Sequence, residues 1–553
     1  EVAERYHRII VESFDRLGIR WELFTSTHTE NHQQVVQKIF LDLYHKGFIV
    51  LQPQTQLYCP QEERFLPDRY VEGQCPHCGY EKARGDQCEA CGRTLDPEDL
   101  GNPRCKTCGS PPEPRQTQHF FFRWSAFNDH LVEWLSDKPH WRSNVLNFSR
   151  RYLQEGLRDS AISRDIDWGI PVPVEGYEGK RIYVWWEAVI GYLSASIEWA
   201  TGQGRPEAWK DWWENPEART FYFIGKDNIP FHSIRWPAVL MGCGGLNLPY
   251  DVPANEFLNL EGRKFSTSEN WAVWINDFLD RYDPDPLRYI LTAAAPEGSD
   301  TDFSWSEFHR RNNDELVGWW GNLVHRSMPF TAKHFAGRIP AARETPEDQA
   351  ILAQARQAFE KVGGLLETCQ FKAALAEAME LAREGNRYFD AQAPWKLVKT
   401  DKDRAGTVMA TMVRLIAALR VLLTPFLPNS SRVLHSVLGL SGDPEAGRSS
   451  PRATSWAGPA PSSRNSTRVS SKRSEPAWAE NRGVLLLQRR DVDHEAVAHI
   501  RSQDPFEGLI DLLGGDQLDP WGDPVLSTEV QDLLGLADTA DQGAGEGTTL
   551  QQK

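Results

Sequence analysis

The run Phe221-Tyr-Phe-Ile-Gly-Lys-Asp-Asn-Ile-Pro-Phe-His232 decides how the chain is read. Phe221 to Ile224 form a short buried-strand pattern, and Gly225-Lys-Asp-Asn228 interrupts it before a helix begins. Ile182-Tyr-Val-Trp-Trp186 repeats the arrangement, an apolar run leading into a helix-like stretch. Strands that alternate with helices predict an α/β fold around a parallel sheet, where ligands bind beyond the carboxyl ends of the strands. That rule singles out two loops. One carries Trp185, Ala188 and Tyr192; the other is Gly225 to Asn228, with Phe231 and His232 just behind it.

Outward from these runs, helical stripes stand at 6–17 (Ile9, Ile10, Phe14, Leu17) and 32–44 (Val35, Val36, Ile39, Phe40, Leu43), followed by a short strand at 48–51. A stretch rich in Cys, Gly and Pro follows. From 312 to about 439 the pattern is helical, with helices expected at 313–335, 350–366, 371–389 and 407–426, enough for a bundle. Near 440 the composition turns to Ser, Arg and Pro, which predicts a disordered tail. Within it, Ser470-Ser-Lys-Arg-Ser474 fits a shift of reading frame near 445–470, and short amphipathic pieces follow from Asp504 and Thr528.

Composition sets outer bounds. A length of 553 residues predicts roughly three domains, and 21 tryptophans among 40% hydrophobic residues can fill a sizeable core. No apolar run approaches the ~18 residues of a membrane span, and no secretory leader is visible, so a cytoplasmic, monomeric protein without a membrane partner is expected. The net charge of −16 argues against indiscriminate coating of nucleic acid, yet leaves room for a local basic track. The chain opens at Glu1, inside a helix-like segment, which suggests a truncated product.

Seven of the nine cysteines fall between Cys59 and Cys108. Cys75-Pro-His-Cys78 and Cys88-Glu-Ala-Cys91, each followed by glycine, can set four thiolates around one Zn²⁺. Disulfides are the competing reading, and nothing else in the sequence looks secreted. Cys105 and Cys108 need outside partners for a second zinc; Cys59 is the obvious third ligand, and Glu62 stands where a fourth cysteine could sit. His77 reads as a loop residue, and Cys243 and Cys369 as buried small hydrophobes. Further on, Gly262-Arg-Lys-Phe-Ser-Thr-Ser268 places two adjacent cations on a hydroxyl-rich loop able to close over a triphosphate.

In this order the blocks resemble the bacterial methionyl-tRNA synthetases, from residue 1 to about 440. Phe65-Leu-Pro-Asp-Arg-Tyr70, the knuckles, Ile162-Ser-Arg-Asp165, Trp168-Gly169, Tyr183-Val-Trp-Trp-Glu-Ala188, Phe223 to His232, Leu258 to Lys264, Asn322 to Arg326 and Ala393-Pro-Trp395 carry the likeness. Lys264-Phe-Ser-Thr-Ser268 is similar to the family's KMSKS loop, with Phe265 for Met and Thr267 for the second Lys. The resemblance implies a class I synthetase fold, an incomplete Rossmann-like parallel sheet with a zinc-knuckle insert, then an all-α anticodon-binding bundle and the tail. Its segments would be 1–52, a remnant of the first half of the catalytic domain; 53–125, the insert; 126–254, the second half; 255–311, the KMSKS-like loop and stem-contact region; 312–440, the anticodon domain; and 441–553, the tail.

It also implies roles. Trp185, Ala188, Tyr192, Phe231 and His232 would line a methionine pocket, with Asp227 on the substrate's amino group or ribose. Gly225, Asp227, Lys264, Ser266 and Thr267 would surround ATP with its Mg²⁺. Arg164, Arg263 and Lys264 would steady developing charge, and Asn322, Arg326 and Trp395 would read the anticodon of tRNA(Met). The implied reaction is ATP-dependent activation of L-methionine and its transfer to tRNA. The family's HIGH motif is not found in the sequence and should precede residue 1, which leads us to expect impaired activation. The alternative is a catalytically inactive, zinc-containing tRNA-binding fragment.

Overall fold

A computed structural model describes residues 2–440 apart from 67–69, 86, 87, 89, 92, 94, 96, 268 and 269. The expected tail, 441–553, with its frame shift and amphipathic pieces, lies outside the described residues. The chain divides into two compact units: Trp21–Phe257 with Glu297–Ser299, and Glu1–Arg20 with Leu258–Pro296 and the described residues from Asp300 onward.

The first of these is built on the helix Glu30–His45, whose N-cap Thr29 accepts from the His32 N–H. Val36, Ile39, Phe40 and Leu43 bury one face of it against Phe120, Trp186 and Trp236. Gly242, in the helix Trp236–Cys243, lets the two helices approach closely: a Cβ there would stand 2.6 Å from Leu43 Cδ2 and force that side chain to shift.

The strand expected at 48–51 is far longer and is antiparallel. Ile49–Cys59 pairs with Glu113–Phe122, from Ile49↔Phe122 to Tyr58↔Glu113. Apolar patterning stops at Leu51 because the rest of this ribbon sets Gln52, Gln54 and Gln56 opposite His119, Thr117 and Arg115, polar residues held by its ladder of backbone hydrogen bonds. The cysteine-rich insert lies between the two strands, a small three-stranded antiparallel sheet of Ala83–Arg84, Val71–Gln74 and Gly101–Cys105. Its core is Leu57, Leu66, Val71, Ala83, Leu95 and Leu100 with four buried cysteines.

Two sequence-derived strands are corrected. Of the run Ile182–Trp186 only Ile182 is strand, in Arg181–Ile182, which pairs antiparallel with Ser163–Arg164; Val184–Glu187 is a helical turn. A short apolar run cannot tell a strand from a buried helical turn, and here Trp186 points inward while Trp185 stays 42% exposed. In the second run, Ile224–Gly225 pairs parallel with Ala254–Asn255, but only Tyr222 of the preceding aromatics is buried, Phe221 and Phe223 being exposed. Among the described residues, parallel pairing also joins Phe221 to Asp251 and Leu258–Leu260 to Thr301–Phe303, and the other pairs are antiparallel. The sheets of this α/β chain are therefore mixed.

In the second unit, the helix Val2–Arg16 packs beside Ile275–Leu279, with Ser13 Oγ donating to Asn276 Oδ1 (2.8 Å) and Arg16 paired with Asp280 (2.7 Å). Leu17 joins the cluster of Leu260, Phe278, Phe303 and Phe308. Residues 2–17 thus belong with 258–308 rather than with the 1–52 segment read from the sequence.

The helical bundle follows expectation closely: Asn322–Phe335, Pro346–Glu367, Phe371–Gln392 and Lys402–Leu423. Pro394–Thr400 and Pro428–Val437 add two short helices, and Arg311–Gly321 winds as a π-helix ahead of Asn322. Lys402–Leu423 is long and apolar enough to cross a membrane, but 89% of its most apolar window is buried inside the unit, as befits a central bundle helix.

Candidate functional sites

The four sulfurs of Cys75, Cys78, Cys88 and Cys91 lie within 4.8 Å of one another, with Cys75–Cys91 at 3.9 Å and Cys78–Cys88 at 3.6 Å. A Zn–S bond of ~2.3 Å in a tetrahedron requires sulfurs about 3.8 Å apart, so the thiols fit zinc as they stand. His77 is exposed and meets Arg93, outside the cluster.

Cys59, Cys105 and Cys108 form a second cluster, with Cys59 3.5 Å from Cys108 and Ser110 Oγ 2.9 Å from Cys108. The turns repeat one design. Gly79 and Gly109, each four residues after a cysteine, have φ of 75° and 73°, and each donates its N–H to that cysteine's carbonyl. After Cys59 the left-handed position is Glu63 (φ 51°), and the Glu62 N–H reaches Cys59 Sγ at 3.4 Å. Glu62 therefore stands at the sequence position of a knuckle ligand, but its carboxylate pairs with Arg64 at 3.7 Å and does not join the three thiols. Of the remaining thiols, Cys369 is buried as expected, whereas Cys243 is only half-buried, with its thiol pushed up to about 12 by burial.

The two strand-end loops meet in an aromatic wall. Trp185 and Phe231 stack at 5.3 Å, and the Arg235 guanidinium covers Phe231 at 4.9 Å. Tyr192 and Tyr222 meet edge to face at 4.8 Å, and half-buried Ala188 lies one helical turn before Tyr192. His232 Nδ1 lies 2.9 Å from the Asn228 carbonyl, which can only accept. That fixes the Nδ1 proton and leaves Nε2 to accept from the Tyr192 hydroxyl at 2.7 Å. Burial holds the His232 pKa below its ordinary value and raises that of Tyr192, so both groups are neutral at pH 7. Gly225 and Asp227 are exposed at the strand end, and the neighbouring Lys226 pairs with Glu256 at 2.8 Å.

Arg164 is not directed into this wall. Its Nη1 donates to the carbonyls of Ala161 (2.9 Å) and Ser163 (3.0 Å), and its guanidinium lies over the Tyr183 ring. Beside it, Asp165 accepts from Lys180 (2.5 Å) and Thr117 (2.8 Å) and pairs with buried His119 at 3.2 Å. Burial opposes the charge on Asp165, but His119 and Lys180 outweigh it and hold its carboxyl well below the usual range.

In the other unit, Arg263 and Lys264 sit on a tight hairpin. Glu261 and Gly262 are both left-handed (φ 50° and 74°), which suits a two-residue turn, and Arg263–Lys264 pairs back on Leu258–Leu260. The hydroxyl-rich segment is thus less free than its composition suggests: Ser266 exchanges two backbone hydrogen bonds with Trp271, while Thr267 remains exposed. In the bundle, Asn322 Nδ2 donates to Asn386 Oδ1 at 3.1 Å. Arg326 lies over Phe389 (4.6 Å) and Trp395 (5.6 Å) and is paired with Asp390 at 2.5 Å. The three residues expected to read bases are therefore gathered around the end of one helix, Phe371–Gln392.

The family described as tRNA synthetases class I (M) matches residues 1–328, and the anticodon binding domain of methionyl tRNA ligase matches 339–450. The chain belongs to the methionine–tRNA ligases of class I. The methionine–tRNA ligase of Thermomicrobium roseum is 55% identical over 441 residues, spanning 79% of this chain and 76% of the relative. That of Dehalococcoides mccartyi is 53% identical over 447 residues, 80% of each. Among solved structures, the Mycobacterium tuberculosis methionyl-tRNA synthetase bound by methionyl-adenylate is similar with a TM-score of 0.65 and 26% identity, over 79% of this chain and 81% of that one.

Within this synthetase, sequence reading missed the group that braces the aromatic wall. Buried His32 joins Glu187 at 2.6 Å and Ser194 Oγ at 2.8 Å, and Asn31 donates to the Ser194 carbonyl. These contacts tie the helix Glu30–His45 to the segment bearing Trp185 and Tyr192. The available signal was His32 itself, a polar residue four positions before Val36 on the buried face of an amphipathic helix.

Proposed function

We propose that this chain activates L-methionine with ATP to methionyl-adenylate, at a rate impaired by the lack of a HIGH motif, and transfers the methionyl group to tRNA(Met). The observation that carries this reading is the uncharged Tyr192–His232 pair set among the rings of the aromatic wall. A thioether is uncharged and polarizable and favours aromatic edges. Within the wall Tyr192 and His232 satisfy each other without charge, which suits that side chain. In the first step the methionine carboxylate attacks the α-phosphate and pyrophosphate leaves. Arg263 and Lys264 neutralise the departing charge, with Ser266, Thr267 and Gly225 around the nucleotide and its Mg²⁺. Asp227 holds the substrate's amino group or the ribose, and Arg164 steadies phosphate or carboxylate. In the second step the terminal ribose hydroxyl of the tRNA attacks the acyl carbon of the adenylate, the acyl–phosphate bond breaks, and AMP leaves with the hydroxyl's proton passed to it or to solvent. The work in both steps is positioning and charge stabilisation. Asn322, Arg326 and Trp395 read the CAU anticodon by edge hydrogen bonds and stacking.

Cys75, Cys78, Cys88 and Cys91 would hold one Zn²⁺, which cross-links an insert whose own core is small. The spacing of Cys59, Cys105 and Cys108 supports a second. Metal analysis of the purified chain tests this: two zinc equivalents are expected, falling to one in Cys105→Ser, and a single equivalent in both would sink the second site.

Methionine-dependent ATP–pyrophosphate exchange tests the chemistry. Lys264→Ala is expected to slow exchange by about 10²–10³, and an unchanged rate removes Lys264 from the mechanism. A chain that binds CAU hairpins but exchanges nothing points instead to a tRNA-binding protein without catalysis.

A further inference from the structure

The anticodon reading leaves a buried ionic network unexplained. Asp348, at the start of the helix Pro346–Glu367, is fully buried and caps that helix by accepting from the Thr345 N–H at 2.8 Å. Tyr388 donates to its Oδ1, and Arg404 grips both carboxylate oxygens, one at 3.0 Å. A buried carboxylate weakens a helical core unless it is fully partnered, so packing alone does not call for one here.

The network's other end leads to the base-reading residues. Arg404 Nη2 also donates to Gln392 Oε1 at 2.6 Å, across 12 positions of sequence. Between them the chain makes a sharp excursion. Ala393 is left-handed (φ 44°), Pro394 opens the short helix Pro394–Thr400 that carries Trp395, and Asp401 caps the return by accepting from the Arg404 N–H at 2.9 Å. The last turns of Phe371–Gln392 serve both groups: Tyr388 and Gln392 face the network, while Phe389 and Asp390 face Arg326.

We propose that Asp348 and Arg404 are positioning residues of the anticodon site, acting through Gln392 to hold the Ala393–Trp395 turn so that Trp395 presents its ring beside Arg326. This rests on the anticodon reading above. It would make discrimination of the anticodon depend on a carboxylate that no base touches.

The test uses the full chain and two RNA hairpins, one with a CAU loop and one with the same loop permuted. Gln392→Met removes the link and leaves the Asp348–Arg404 pair intact, so the bundle stays folded. CAU affinity should fall roughly tenfold, a part of what one base–aromatic stack contributes, with a smaller loss for the permuted loop and a melting temperature near wild type. Arg404→Lys, which keeps the charge but not the two-pronged grip, should give an intermediate loss of discrimination. If both variants keep the wild-type ratio of affinities, the network is a structural brace and the proposal is overturned. If the wild-type chain binds both hairpins equally, the anticodon reading itself fails and takes this inference with it.

Discussion

His232 and Arg326 both sit among aromatic rings, and their surroundings treat charge in opposite ways. Around His232 the phenol of Tyr192 donates to the ring and the ring donates to the Asn228 carbonyl, and burial keeps the imidazole neutral. Around Arg326 a permanent cation lies over the touching rings of Phe389 and Trp395 and is held by the exposed carboxylate of Asp390. The first arrangement suits an apolar side chain, which gains from rings and loses where charge must be desolvated. The second suits an RNA loop, where a cation and exposed rings meet phosphates and unstacked bases.

Four substitutions can break or sharpen that contrast. The largest expected effect is Arg326→Ala, which should cost about 2–4 kcal/mol in binding a CAU hairpin and leave methionine affinity unchanged; titration with each ligand checks both halves. Trp395→Ala should cost about 1–3 kcal/mol on the same hairpin, and no loss would mean that the ring packs against Phe389 without stacking on a base. Tyr192→Phe strips His232 Nε2 of its donor and should weaken methionine binding by about 1 kcal/mol, with hairpin affinity as the unaffected control.

The smallest effect concerns pH. The folded pKa of His232 lies below the ordinary 6.5, so between the two values the unfolded chain binds more protons. The resulting stability is present above 6.5 and is lost as pH falls through the folded pKa. Melting temperatures of the wild type should therefore drop faster than those of His232→Asn as pH falls below about 6.5. Parallel curves would show that His232 does not contribute.

The bundle was legible because its signal is periodic: Lys402–Leu423 and Phe371–Gln392 repeat their apolar faces over several turns. The aromatic wall was legible for a different reason. The rule that sites lie at strand ends picked out Trp185, Tyr192 and His232 even though the strand before Trp185 proved to be a helical turn. Ring-rich loops survive an error in secondary structure because their chemistry does not depend on it. The groups that hold the sites in place were not legible. His32 meets Glu187 across 155 positions, and Arg404 meets Asp348 across 56; no local pattern links such pairs. The ribbon beyond Leu51 was missed because it is held by backbone bonds between polar strands, which leave no apolar alternation.

The π-helix Arg311–Gly321 bears on how this bundle tolerates insertion and deletion. A π turn absorbs one residue more than an α turn would. Asn386 Nδ2 caps the Trp319 carbonyl within it at 2.8 Å, while Asn386 Oδ1 receives Asn322. A residue lost from within the π-helix, such as Gly318, can be absorbed as tighter α winding, which keeps Asn322 and Arg326 in phase with Asn386 and Phe389. The same loss from the regular helix Asn322–Phe335 has no such reserve and would turn everything after it by about 100°.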